Sequence, residues 1–145
     1  MISDDYLPEY YVSYGSNLNI EQMVSRCPGA LLIETDLLCD RALAIKGPDE
    51  NRGYLTLVPS AGSKVHVALW KITRKDKEAL DRYEDVGHLY EIEHLILGGK
   101  KCFCYVMKSI FPSARPTEQY MELCKKGYEE NGFDPLYLES ALRRY

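Results

Sequence analysis

Two short stretches of the chain hold residues that can do chemistry together. The first is Tyr11-Val-Ser-Tyr-Gly-Ser-Asn-Leu18, where strand-forming residues break into Gly15, Ser16 and Asn17. Gly15 lets the backbone turn tightly or approach a ligand closely. A helix that follows would aim its free amides back at the turn, making a cradle for an anion or oxyanion. The same residues also suit a plain strand-to-helix turn with Asn as the cap. The pattern is neither a Walker loop nor a G-x-S-x-G elbow, so nothing marks Ser16 as a nucleophile.

The second stretch is the helical segment R-K-D-K-E-A-L-D-R-Y-E, residues 74–84. With Leu80 at the centre of the core face, Tyr83 and Glu84 follow three and four residues on and fall on the same side. Lys77 borders that side, whereas Glu78, Asp81, Arg82 and Asp85 lie on or toward the wet side. One carboxylate therefore stands where an apolar residue is expected. Burial there would raise the pKa of Glu84 and make it a better proton acceptor near neutrality. The alternative is a glutamate frayed into solvent on the last helical turn.

The remaining reactive residues are less pointed. His66, His88 and His94 have no metal-ligand spacing. Five Cys include no C-x-x-C pair, which argues against a zinc site or disulfide framework and for a reducing cytoplasm. Cys102 and Cys104 alternate on one strand face and read as packing. Twelve Tyr against three Phe suit half-buried strand positions, or hydroxyls that line a polar pocket. Tyr120, Leu123, Cys124 and Gly127 share a helical face, with Gly127 allowing close approach of another element.

Several elements must position these groups. A strand over residues 9–14 precedes the loop. A short helix follows, capped by Asn17 or Asn19 and ended by Cys27-Pro28-Gly29. Residues 30–46 form a long strand or a bent pair. "YLTLVPS", the turn "AGSK" and "VHVALWKI" read as a hairpin. Thr73 and Asp76 open the helix that carries Glu84. "LYEIEHLIL", "GGKK" and "CFCYVM" make a second hairpin. A helix from Pro116 or Thr117 stops near Asn131-Gly132, and Asp134-Pro135 starts a last one. Hairpins dominate, so the fold class is α+β: a small, mixed, mostly antiparallel β-barrel with surrounding helices.

The 145 residues suit one domain, residues 1–145, large enough for a core without staples. A net charge of −4 and no basic stripe exclude nucleic acid as a main partner. No apolar run approaches a membrane span, and the start "MISDDYLPEYY" has neither a basic n-region nor an apolar h-region.

Three stretches together resemble the gamma-glutamylcyclotransferase family: "YVSYGSNL", "LWKITRKDKEALDRYEDVGHLYE" and "YVMKSIFPSARPTEQYMELCKKGYEENG". The resemblance implies a β-barrel with packed helices and conversion of a γ-glutamyl amino acid or amine into 5-oxoproline by internal aminolysis. It implies no cofactor and no metal, a small γ-glutamyl substrate as the partner, and leaves room for a homodimer. It assigns the general acid/base to Glu84. It assigns substrate binding, largely through backbone groups, to Tyr11, Val12, Ser13, Tyr14, Gly15 and Ser16, with Asn17 and Leu18 adjoining. Tyr105 on the late strand and Tyr120 on the late helix match ligand-contacting tyrosines, and Tyr90 is matched without a defined role. Two departures stand out. Asp85 replaces a Gly common after the catalytic Glu, and "KGPDENRG" matches poorly, which bears on substrate choice. A specialised γ-glutamyl amine or metabolite as substrate, or a binding module on the same scaffold, are the other readings.

Overall fold

A computed structural model describes residues 5–143. Five strands form one sheet in the order β2-β3-β1-β5-β4. In chain order these are β1 (Tyr10–Ser13), β2 (Leu31–Lys46), β3 (Tyr54–Lys71), β4 (Tyr90–Leu97) and β5 (Lys100–Met107). The helices are α1 (Ile20–Arg26), α2 (Arg74–Tyr83), α3 (Glu118–Asn131) and α4 (Leu136–Leu142), and a 3-10 turn spans Ser16–Leu18. Only β1 and β5 run parallel; the other neighbours are antiparallel. Among the described residues, no helix is long and apolar enough to cross a membrane.

Local chemistry explains most boundaries. Asn19, not Asn17, caps α1, its side chain accepting from the Gln22 amide at 3.1 Å. Thr73 and Asp76 form a reciprocal capping box at the start of α2. Gly98 and Gly99 both adopt positive φ, as the tight β4–β5 reversal requires. Thr117 caps α3, and Gly132 ends it in the left-handed conformation.

Two expectations are corrected. Residues 54–71 are not a hairpin but one strand, β3, because both halves pair antiparallel with β2, from Tyr54↔Lys46 to Lys71↔Leu31. Cys39 pairs with Lys64 while Arg41 pairs with Pro59, so the intervening turn residues bulge outward without reversing the chain. Asp40 holds this bulge by accepting from the Gly62 amide at 3.0 Å. The sheet is also not closed into a barrel: its hydrogen-bonded order ends at β2 and β4. Side chains, not a ladder, draw the two ends together. Arg41 of β2 pairs with Glu93 of β4, and beside them Glu34 of β2 pairs with Lys100 at the start of β5, at 2.7 Å.

The core between sheet and helices contains Leu18, Met23, Leu69, Trp70, Leu80, Phe103 and Tyr128. One consequence of this layout places the site. Thr73 bridges to Tyr6 just before β1, and α2 then runs back alongside that strand. The ten residues of α2 rise ~15 Å, and Glu84 at its end lines one cavity with Gly15 at the end of β1.

Candidate active site

A cavity of about 160 Å³ opens where these two ends meet. The loop side supplies Tyr11, Tyr14, Gly15, Ser16 and Asn17, and α2 supplies Tyr83 and Glu84. Tyr90 and Tyr105 enter from the β4–β5 hairpin, and Tyr120 from the first turn of α3. Tyr54, Leu55 and Leu89 complete the wall.

The loop is held from several directions. Its 3-10 turn closes through Leu18 donating to the Gly15 carbonyl at 3.0 Å. The opening amides of such a turn have no acceptor inside it. Asn131 donates to the Leu18 carbonyl at 3.0 Å, and Asn19 donates to the Leu123 carbonyl at 3.2 Å, so α3 clamps the loop's far side. Arg26, at the end of α1, donates to the Asn17 side-chain oxygen. The Asn17 amide nitrogen in turn donates to the Tyr11 hydroxyl at 2.9 Å.

The tyrosines are fixed by their hydroxyls. Tyr14 donates to the Tyr105 carbonyl, tying the loop to β5. Tyr90 donates to the Leu55 carbonyl at 2.8 Å, while the Leu55 amide donates to the Tyr120 hydroxyl at 3.0 Å. Tyr105 donates to Asp81 at 2.6 Å, and Asp81 is paired with Lys77 at 2.9 Å. Burial pushes the phenols of Tyr11, Tyr14, Tyr90, Tyr105 and Tyr120 upward, so all five stay protonated at neutral pH.

Glu84 is the acidic side chain of this wall. It is half-buried, enclosed by protein on its flanks and open to the cavity. Burial raises its pKa to about 7, against a smaller lowering by the Arg26 guanidinium. Its carboxyl group therefore exists in both protonation states near neutral pH, as a group that must take up and return a proton requires. The cavity thus combines a poised carboxyl group, a turn with open backbone amides and a ring of neutral hydroxyls.

Of the residues given a role from sequence, Glu84, the loop residues Tyr11, Tyr14, Gly15, Ser16 and Asn17, and the tyrosines Tyr105 and Tyr120 line this one cavity, and so does Tyr90, matched without a role. Val12, Ser13 and Leu18 are placed elsewhere. Val12 and Leu18 are fully buried in the core, and Ser13 accepts from the Trp70 indole at 2.9 Å. Tyr83 departs from the core side assigned to it. It is 44% exposed at the cavity mouth, with the Arg26 guanidinium 3.5 Å from its ring centroid. Asp81 departs too: it is half-buried against Tyr105, not turned to water. Tyr54, Leu55 and Leu89 in the lining, and Arg26 behind it on Asn17 and Tyr83, carry no signal of spacing, because their partners come from distant segments.

Comparison with known proteins converges on one family. The family model described as gamma-glutamyl cyclotransferase, AIG2-like, matches residues 11–127, a span that holds every cavity residue named above. The chain is 31% identical to a gamma-glutamylcyclotransferase of Bos taurus, across 91% of this chain and 76% of that protein. It is 30% identical to a gamma-glutamylcyclotransferase of Homo sapiens, across 92% of this chain and 76% of that protein. A solved gamma-glutamyl cyclotransferase superposes with a TM-score of 0.78 at 26% identity, covering 94% of this chain and 86% of that one.

Proposed function

Because this chain belongs to the gamma-glutamyl cyclotransferase, AIG2-like family, we propose that its cavity converts a γ-glutamyl amino acid or amine into 5-oxoproline and the free amino acid or amine, with Glu84 as general acid and base. The observation that carries this reading is a single carboxyl group, raised to about 7, facing the same cavity as the Gly15–Asn17 turn.

The chemistry asks for that group. A peptide α-amine has a pKa of about 7.7–8, and the free α-carboxylate beside the γ-glutamyl amine stabilises its ammonium further, so most of it is protonated and not nucleophilic at neutral pH. A carboxylate near pKa 7 accepts that proton at a lower uphill cost than an ordinary carboxylate does, by about 1.4 kcal/mol for each pKa unit gained. The freed α-amine attacks the γ-carbonyl carbon of its own glutamyl group, forming the ring C–N bond and placing negative charge on the carbonyl oxygen. Open amides of the turn after Tyr14 stabilise that oxygen or hold the substrate carboxylate. The bond to the leaving nitrogen then breaks as Glu84 gives its proton to that nitrogen; the restored carboxylate takes the second proton from the ring nitrogen and passes it to the released amine, which departs as an ammonium. Attack is intramolecular, so holding the glutamyl chain in its folded conformer supplies much of the rate.

Incubation with a panel of γ-glutamyl amino acids and γ-glutamyl amines, with 5-oxoproline followed by chromatography, tests the proposal. Release of 5-oxoproline together with the matching free amine is expected from at least one class. Its absence across both classes would overturn the reading.

A further inference from the structure

We propose that Arg26 and Asp81 act as positioning residues that sort two cavity tyrosines into a proton donor and a proton acceptor, matching a glutamyl head group that bears both a carboxylate and an ammonium. This inference rests on the γ-glutamyl reading above and deepens it.

A tyrosine hydroxyl has one proton to give and lone pairs to offer, so its polarity toward a ligand depends on what its protein partner takes. Arg26 can only donate, and it does so to the Asn17 side chain. The atom facing it must be the amide oxygen. That choice leaves the Asn17 NH2 pointing at the Tyr11 hydroxyl, 2.9 Å away. An amide nitrogen also only donates, so the Tyr11 oxygen accepts and its own proton is free.

Tyr105 is set the opposite way. Its hydroxyl lies 2.6 Å from one Asp81 oxygen, and Lys77 sits nearer the other, at 2.9 Å against 3.3 Å. A carboxylate only accepts, so the Tyr105 proton is engaged and only lone pairs remain for a ligand. The two rings are edge-on with centroids 5.8 Å apart, and both line the cavity beside Glu84. Two chemically identical side chains thus present opposite polarity side by side. A carboxylate or carbonyl oxygen of the substrate takes the Tyr11 proton. The α-ammonium gives a hydrogen bond to the Tyr105 oxygen, on its way to Glu84. Neither Arg26 nor Asp81 belongs to the cavity lining, so both act through the residues they orient.

The test uses binding, not turnover. Three probes separate the groups: L-glutamate carries both, glutarate lacks the ammonium, and 4-aminobutyrate lacks the α-carboxylate. Asp81→Asn keeps the side chain's shape. Because Lys77 draws the amide oxygen, the new NH2 faces Tyr105 and reverses its polarity. The preference for glutamate over glutarate should fall by about tenfold, while the preference over 4-aminobutyrate holds. Arg26→Met frees the Asn17 amide to turn over. It should lower the preference over 4-aminobutyrate by a similar factor and spare the other, and Arg26→Lys, still a donor, should restore it. General structural damage would weaken all three probes together. That pattern, unchanged preferences, or an unaltered protein that does not discriminate the probes would each overturn the inference. If the unaltered protein forms 5-oxoproline while the preferences stay fixed, this inference falls alone. If the preferences shift and no 5-oxoproline forms, the polarity assignment stands and the proposed reaction falls.

Discussion

Gly127 on α3 lies directly against Leu18 of the cavity loop: a β-carbon built on Gly127 would stand 2.8 Å from the Leu18 β-carbon and 2.7 Å from the Asn19 amide nitrogen. Atoms essentially never approach so closely, and the obstacle is largely backbone, which cannot swing away. Replacing glycine by alanine inside a helix ordinarily gains up to about 1 kcal/mol. Here overpacking should reverse the sign, and Gly127→Ala should lose roughly 1–3 kcal/mol. Denaturant titration measures the loss. Because the displaced atoms belong to the loop, turnover per folded molecule should fall as well. A stabilised and fully active variant would show that loop and helix are not in contact.

Glu84→Gln keeps the side chain's shape and removes its proton transfer. Turnover should drop by roughly 10²- to 10⁴-fold, the usual worth of general acid–base help. Binding of 5-oxoproline, measured by calorimetry, should survive, since the loop and the tyrosines remain. Near-normal turnover in this variant would place the base on another residue.

How much of this was legible in advance follows from the range of each interaction. The Thr73–Asp76 capping box, the Gly98-Gly99 reversal and the Thr117 and Gly132 caps involve partners within a few residues, so sequence carries them whole. Glu84 was legible for the same reason: it lies one helical turn beyond the fully buried Leu80. The β3 bulge was not, because turn residues bend a chain alike whether it reverses or continues, and only pairing with β2 decides between them. Helical periodicity turned Asp81 toward water because it cannot register Tyr105 arriving from β5. Tyr83 failed the other way, since α1 brings Arg26 over its ring instead of a core side chain beneath it. Val12 and Ser13 sit in a strand flanked by neighbours on both sides, which claims them for packing.

The raised pKa of Glu84 also links stability to pH. Its folded value, about 7, lies above the ordinary value of 4.5, so the fold favours the protonated form. This contribution is fully present below the unfolded value and is lost as pH rises through the folded one. Relative to Glu84→Gln, the parent protein should therefore weaken between about pH 4.5 and 7, by a few kcal/mol. Parallel denaturation curves of the two proteins across that window give the difference directly. A constant gap would mean that Glu84 titrates as an ordinary exposed carboxylate. The same group shapes activity: kcat/KM should rise with pH through about 7 as Glu84 ionises. It should fall again at higher pH, above about 8, as the free substrate amine loses its own proton.

Leu55 makes the final prediction, because both of its peptide groups face the cavity tyrosines. Its carbonyl accepts from Tyr90 at 2.8 Å, and its amide donates to Tyr120 at 3.0 Å. Leu55 lies opposite Ile45 of β2 in the sheet, so these two hydroxyls reach it from the cavity side. Tyr90→Phe leaves a buried carbonyl without that donor, and Tyr120→Phe leaves a buried amide without that acceptor. Each should cost about 1–3 kcal/mol of stability, the penalty for a buried polar group left unpaired. The two substitutions share one residue, so their effects should not add, and a double-mutant cycle should return a coupling of about 0.5 kcal/mol or more. Simple additivity would mean that Leu55 is held independently by the rest of β3, and that Tyr90 and Tyr120 are in the cavity for the ligand alone.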